Sequence, residues 1–411
     1  MCTPCRESRH GEGSVHPVTE SKRTYDSSDE AKNLKMAQSP HAYVRGNTTQ
    51  FYEWLAEDEH SVCVGPPVWI CGDCHIGNLG PIANSEGRLA IQIRDLDQTV
   101  IGNPAHDLIR IGLSLATVAR NSVLPGMTTA RMIETLAKGY LRGLVSRVPV
   151  DTAAAPSIHI VFKQALRRRW RDLAKERIDE RTYSIPRGRT FLTLDDRSYK
   201  QLNLLTESPQ VHALVSALTH RNVDDPITIE DAAYWVKGCS SLGLKRFAVL
   251  MSVGKRKFDK QGACLLDFKQ AVRVGCARRG GCRDACRTGG RVIEGARALS
   301  PTLGERMAES RMGTSSIFVR ELLPQDLKIE IELLTEEEAA SVAFLLASIL
   351  GQAHGRQMRR NERTSWGRTL RSATTKSLDV PSCLWTAIVR QLARHEEGYL
   401  AHCRRHLNTR K

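Results

Sequence analysis

The chain has 411 residues with 60 Lys and Arg against 45 Asp and Glu, a formal charge of +15, 41% hydrophobic and 5% aromatic residues. That length gives two or three domains or lobes of ordinary size and ample chain for a core. The longest uncharged apolar stretch, Ala339 to Gly351, falls short of the ~20 residues a membrane span requires, so the composition is that of a soluble globular protein with no membrane partner.

Residues 1–28 are polar and aperiodic and read as a disordered tail with no apolar leader. A short helix is expected over 47–57 with Phe51, Trp54 and Leu55 inward, and strands over Val68–Cys71 and Leu89–Ile93. Asn103-Pro104 reads as an N-cap followed by proline at the first helical position, opening a helix to about Arg120. A second helix begins after Thr129 and places Met132, Ile133, Leu136 and Tyr140 on one face. Residues 158–220 are basic and mostly helical. Short β-type runs follow at 233–253, 263–269 and 315–323, joined through the polar turn VGKRKFDKQG. Thr335-Glu336-Glu337-Glu338 is a capping box for an amphipathic helix, and a last helix covers 382–407. The domains expected are a helical lobe over 29–225, a strand-rich lobe over 226–330 and helices over 331–411 that complete the first.

Twelve cysteines are too few for a disulfide scaffold, and without a leader they imply reduced thiols and a cytoplasmic protein. Cys71/Cys74 with Cys282/Cys286 would make a zinc site only if two distant pairs met. The basic runs at 163–187, 278–297 and 356–363 have few aromatic neighbours. They read as solvated faces before they read as a nucleic-acid surface, which remains one alternative.

The segment Cys71 to Asp107 carries the chemistry. Gly72 turns the chain and presents Asp73; His75 and Asn78 follow, and a hairpin returns to Asp95. One carboxylate, one amide and a second carboxylate at neighbouring strand mouths suit Mg²⁺ with phosphate, since that ion takes one or two carboxylates and leaves places for phosphate oxygens. A carboxylate beside it can accept the proton of an attacking hydroxyl. Asx turns and a strand cap are the plainer reading of the same residues.

The form G-D-x-H-x-x-N, a strand ending in Asp, then G-x-P-x-x-D-L, closely resembles the aminoglycoside and choline kinase branch of the protein-kinase-like fold. That resemblance implies Asp73 as catalytic base, His75 ordering the loop, Asn78 and Asp95 as metal ligands with Asp97 assisting, and Asp107 bracing the loop. It also implies ATP and Mg²⁺ as cofactors and a small-molecule acceptor. The nucleotide-gripping lobe comes later in the chain. Gly238, Ser240, Ser241 and Gly243 form a glycine-containing turn, Lys269 ends a strand, and Glu294 lies in a helix where it would position Lys269. Arg45 is a candidate to meet phosphate or the loop. The order implies an α+β, two-lobe, circularly permuted kinase-like fold. The long helix ending at Ala353-His354-Gly355 is of the type that precedes the catalytic loop in ordinary kinases. The chain as a whole also resembles a bacterial family named domain of unknown function 2252, through segments such as CGDCHIGNLG, RDLDQT and FVRELLPQDLK. Ser240 and Gln270 depart from that pattern and favour a second function class, a nucleotide-binding scaffold without turnover.

Overall fold

The computed structural model describes residues 30–179, 181–217, 221, 224–237, 244–254, 262–272, 274, 289–331, 334–372 and 380–407. A helical turn sequence over 30–36 leads to α1 (Pro40–Gly46), where Ser39 caps the backbone N–H of Ala42. In α2 (Thr48–Glu57) the buried side is Phe51, Tyr52 and Leu55, so Tyr52 takes the inward place expected of Trp54. Strand β1 (Val68–Ile70) pairs with β4 (Val100–Gly102), and β2 (Leu79–Ala83) forms an antiparallel hairpin with β3 (Leu89–Ile93). Helix α3 (Pro104–Asn121) opens as expected on Asn103 and Pro104 and is buried along most of its length. Helices α4 (Gly126–Val145), α5 (Pro156–Arg167) and α6 (Trp170–Arg177) follow.

The strand-rich unit contains β5 (Phe191–Leu192), α7 (Asp196–Thr206), α8 (Pro209–Ser216), β6 (Ile227–Trp235), β7 (Arg246–Val253) and β8 (Ala263–Gln270). It continues through α9 (Gly289–Leu299), α10 (Pro301–Gly304), β9 (Met307–Met312) and β10 (Ser315–Glu321). The chain ends with α11 (Glu336–Gly355), α12 (Arg360–Ser372) and α13 (Ser382–Leu407). The architecture is mixed α+β with several sheets. The largest is antiparallel, in the order β5-β6-β7-β8-β10-β9.

Period-two alternation gives this sheet two different faces. Phe247, Val249, Met251, Leu266, Phe268 and Val319 pack with Leu202, Leu205, Val211 and Leu214 of α7 and α8. The other face carries Trp235, Ala248, Leu250 and Leu265, packed with Ala174, Ile178 and Ile185 from the chain around α6. Side chains on both sides of residue 225 thus share a core with the sheet.

The larger core is centred on α4 and α11. These helices ascend side by side, with Gly139 against the Phe344 carbonyl, Gly143 against that of Ser348, and Gly355 against that of Leu144. A Cβ at Gly143 would lie 2.0 Å from the Ser348 oxygen, so only glycine allows this approach. The Ser348 hydroxyl donates to the Gly139 carbonyl at 3.0 Å across the contact. Helix α13 lies along α3, and Cys383 at its start is disulfide-bonded to Cys63, across 320 positions of sequence. That bond corrects the expectation of uniformly reduced thiols. Among the described residues no helix is long and apolar enough to cross a membrane.

Candidate functional site

Gly72 follows β1 with φ +76°, and a side chain there would collide with the Gln98 carbonyl. The turn it permits is fastened from below. Asp107, fully buried in the first turn of α3, accepts the backbone N–H groups of Cys71 at 2.7 Å and Gly72 at 3.1 Å. His354, at the end of α11, reaches the same carboxylate through Nε2 at 3.2 Å, and its Nδ1 meets Tyr140 Oη at 3.0 Å. Trp366 Nε1 donates to that hydroxyl at 3.1 Å. Tyr140, His354 and Asp107 thus form one hydrogen-bonded chain beneath the turn. A buried polar chain in which every member is paired holds a loop in one geometry.

Asp73 stands on this base with its side chain 17% exposed. Arg110 of α3, which is fully buried, donates to its Oδ1 from Nε at 3.0 Å and Nη2 at 2.9 Å, and from Nη2 also to the Val44 carbonyl. Oδ2 stays free of Arg110 and lies 3.9 Å from His75 Nε2. Burial lifts the Asp73 carboxyl above its usual range, with Arg110 opposing. Burial, then Arg45 and Arg110, push the His75 imidazole well below its usual value, so it is neutral at physiological pH. Asn78 ties the two arms of the hairpin. Its amide nitrogen donates to the Asp73 carbonyl at 3.1 Å and the Asp95 carbonyl at 2.7 Å, and its Oδ1 accepts the Asp95 N–H at 2.6 Å.

The opposing wall is the edge of the sheet's charged face. Lys269, 4% exposed, points its ammonium at Asp97 Oδ2 and lies 3.6 Å from Asp95 Oδ1. The expected pairing with Glu294 does not form: Glu294 is exposed on α9. The inward side of that helix carries Gly295, packed on Thr99, and Arg291, which donates to the carbonyls of Asp97 (2.7 Å) and Thr99. Helix α9 thus grips the backbone of the 95–99 loop, and Asp97 takes the lysine-holding part. Beside Lys269, Arg246 forms a two-pronged pair with Asp267 at 2.9 and 2.6 Å, and Arg320 reaches the same carboxylate at 3.2 Å. Against the burial that would raise it, these arginines hold Asp267 below its usual range. Lys237 lies over the Trp235 ring at 4.2 Å, and burial together with Arg246 lowers its ammonium to about 6.

Both walls face one cavity of about 690 Å³. Asp73, His75, Asn78, Asp95, Lys269 and Arg45 all line it. So do Lys237, Arg246 and Arg320, and, from other elements, Lys35, Arg94 and Lys328. Sequence spacing singled out none of these last six, nor Arg110. Gly238, Ser240, Ser241 and Gly243 lie outside the described residues, as do Cys282 and Cys286. Cys71 and Cys74 are buried free thiols, and among the described residues no three His, Cys, Asp or Glu side chains gather as a metal site. Asp95 and Asn78 nevertheless offer a pair of oxygen donors. The Asp95 side chain is 57% exposed to the cavity. Enclosure would raise its pKa, but Lys269, Arg320 and Arg246 outweigh that and hold it ionised. Asn78 Oδ1 keeps one lone pair beyond its bond to Asp95. Two donors fit Mg²⁺ that arrives with phosphate oxygens and fall short of an independent metal site.

A search of the curated proteins and of the solved structures found no match. A family model described as an uncharacterized protein conserved in bacteria matches residues 28–405, which takes in every element of the two walls. The chain belongs to that family, DUF2252.

Proposed function

We propose that this cleft transfers the terminal phosphoryl group of ATP to a hydroxyl of a small molecule, in a circularly permuted kinase-like arrangement. The observation that carries the reading is that the Asp73 oxygen left unbound by Arg110, the exposed carboxylate of Asp95 and the ammonium of Lys269 meet in one cavity. Permutation is supported where the end of α11 meets the strand before the loop. Gln357 bonds both the N–H and the carbonyl of Trp69, and His354 reaches Asp107. Those segments would be consecutive in an unpermuted chain.

In the proposed step the acceptor oxygen forms a bond to the γ-phosphorus, and its proton passes to Asp73 Oδ2. The bond from that phosphorus to the bridging oxygen breaks, and ADP leaves with the electron pair. Arg110 keeps Asp73 aimed while Oδ2 works. Lys269, Arg246 and Arg320 face the phosphate charge. Asp95 and Asn78 are the residues that would hold Mg²⁺, which supplies charge neutralisation on the β- and γ-phosphates. A scaffold that holds nucleotide without transfer is favoured by one observation: Asp95 and Asp97 already close on Lys269. The two readings separate when the full chain is incubated with γ-labelled ATP, Mg²⁺ and a bacterial small-molecule extract. Label appearing on a hydroxyl compound, and lost in Asp73→Asn, supports transfer. Nucleotide binding with no labelled product supports the scaffold.

A further inference from the structure

The cavity is far more basic than phosphoryl transfer from one nucleotide requires. Among the described residues, eight basic side chains line it against two carboxylates, Asp73 and Asp95. Five of them fall into two sets. On the sheet wall, Lys269, Arg246 and Arg320 are each paired with Asp95, Asp97 or Asp267. On the loop side, Arg45 and Lys328 line the same space, and no ion pair or hydrogen bond of either side chain occurs among the described residues.

Arg45 lies directly over the catalytic loop. A Cβ at Gly77 would meet its guanidinium carbon at 3.4 Å and the His75 ring at the same distance. Lys328 is close enough that Arg45, after burial, helps push its ammonium down. His41 is lowered to about 4 by burial, then by Arg45 and Arg110. His75 Nδ1, in a residue 7% exposed, has no hydrogen-bond partner. Arg45 is half-buried, and leaving its charge without an ion pair is costly unless an anion arrives; the exposed Lys328 adds a second cation beside it, only partly offset by Glu330 and Asp95. The nucleotide does not meet this need. In the proposed arrangement its phosphates would face the sheet wall, with magnesium neutralising part of their charge.

Resting on the phosphoryl-transfer reading, we infer that the acceptor is a small hydroxyl compound carrying its own phosphate or carboxylate, received by Arg45 and Lys328 while its hydroxyl faces Asp73. Aminoglycosides and choline are cations, so the resemblance to kinases of those compounds does not extend to the charge of the acceptor.

The test uses the full chain saturated with Mg²⁺ and a non-hydrolysable ATP analogue, which blocks the γ-phosphate position. Inorganic phosphate, glucose 6-phosphate, gluconate, glucose and choline are then titrated by calorimetry. Anionic probes should bind at least tenfold tighter than glucose or choline. Phosphate-bearing probes without gluconate would indicate a phosphate receptor, and gluconate alone a carboxylate receptor. Arg45→Gln and, separately, the exposed Lys328→Gln should each weaken that binding at least tenfold while leaving affinity for the analogue within twofold. Equal binding of glucose or choline, or no binding of any anionic probe to the nucleotide-loaded protein, overturns the inference and leaves phosphoryl transfer standing. Failure of the analogue itself to bind overturns phosphoryl transfer, and the inference with it.

Discussion

The two walls of the cleft are built by different rules. The loop wall comes from one stretch of chain: Asp73, His75, Asn78 and Asp95 fall within 23 residues and are joined by local hydrogen bonds through Asn78. The sheet wall comes from separate strands. Arg246 of β7 lies opposite Lys269 of β8, and Arg320 of β10 lies opposite Asp267. Cross-strand partners point to the same face, so register alone brings these four charges together. In the proposed reaction the loop wall would take the proton and the sheet wall would meet the phosphate charge. The comparison teaches that chemistry can be written in sequence spacing while electrostatics is written in strand pairing.

The division predicts graded effects when either wall is cut. The largest belongs to the loop wall: Asp73→Asn should lower transfer by about 10²–10⁴-fold, the usual weight of a general base, with ATP affinity unchanged. In the wild type the rate should rise with pH through a limb set above the ordinary Asp range, because burial raises that carboxyl and only its ionised form accepts the proton. A fall in ATP affinity matching the fall in rate would merge the two roles. On the sheet wall, Lys269→Met should weaken ATP binding at least tenfold by calorimetry, and lower the melting temperature because Asp97 loses its counter-charge. A subtler effect concerns Lys237. With its ammonium lowered to about 6, it is mostly neutral at pH 7.5 and should gain a proton when phosphate enters. Binding heats measured in buffers of different ionisation enthalpy should show uptake of up to one proton, reduced in Lys237→Met. The smallest effect is expected from Glu294→Gln. On the exposed face of α9 it should change stability by no more than about 0.5 kcal/mol and leave ATP affinity as it was.

Legibility followed the same division. Asp73, Asn78 and Asp95 could be grouped from turn and spacing, whereas the bracing place of Asp107 came only with the resemblance to kinases. Arg110 was missed inside an apolar helix, although a lone cation among Ile109, Ile111 and Leu113 has to find a buried partner. Glu294 was misread by one helical position. Arg291 and Gly295, four apart, form the inward row, and the next residue back turns about 100° away. The tell was Gly295, small enough to sit on Thr99. Arg246 and Arg320 had no spacing to read, since strand register depends on pairings far apart in sequence. The same holds for Cys63 and Cys383. The basic runs proved partly structural. Arg187 pairs with Asp231, Arg168 with Glu176, and Arg356 and Arg363 donate to the carbonyls of Leu299 and Gly355. The charge that matters for the cleft lies mainly outside those runs.

The central claim is that Asp95 and Asn78 accept a metal only together with the phosphates that the sheet wall receives. Calorimetric titration of the full chain tests it most directly, with Mg²⁺ alone, ATP alone and the two together. The account predicts no heat from Mg²⁺ alone and ATP binding that tightens at least tenfold when Mg²⁺ is present. Saturable binding of Mg²⁺ by itself, or ATP affinity that ignores the metal, would contradict it.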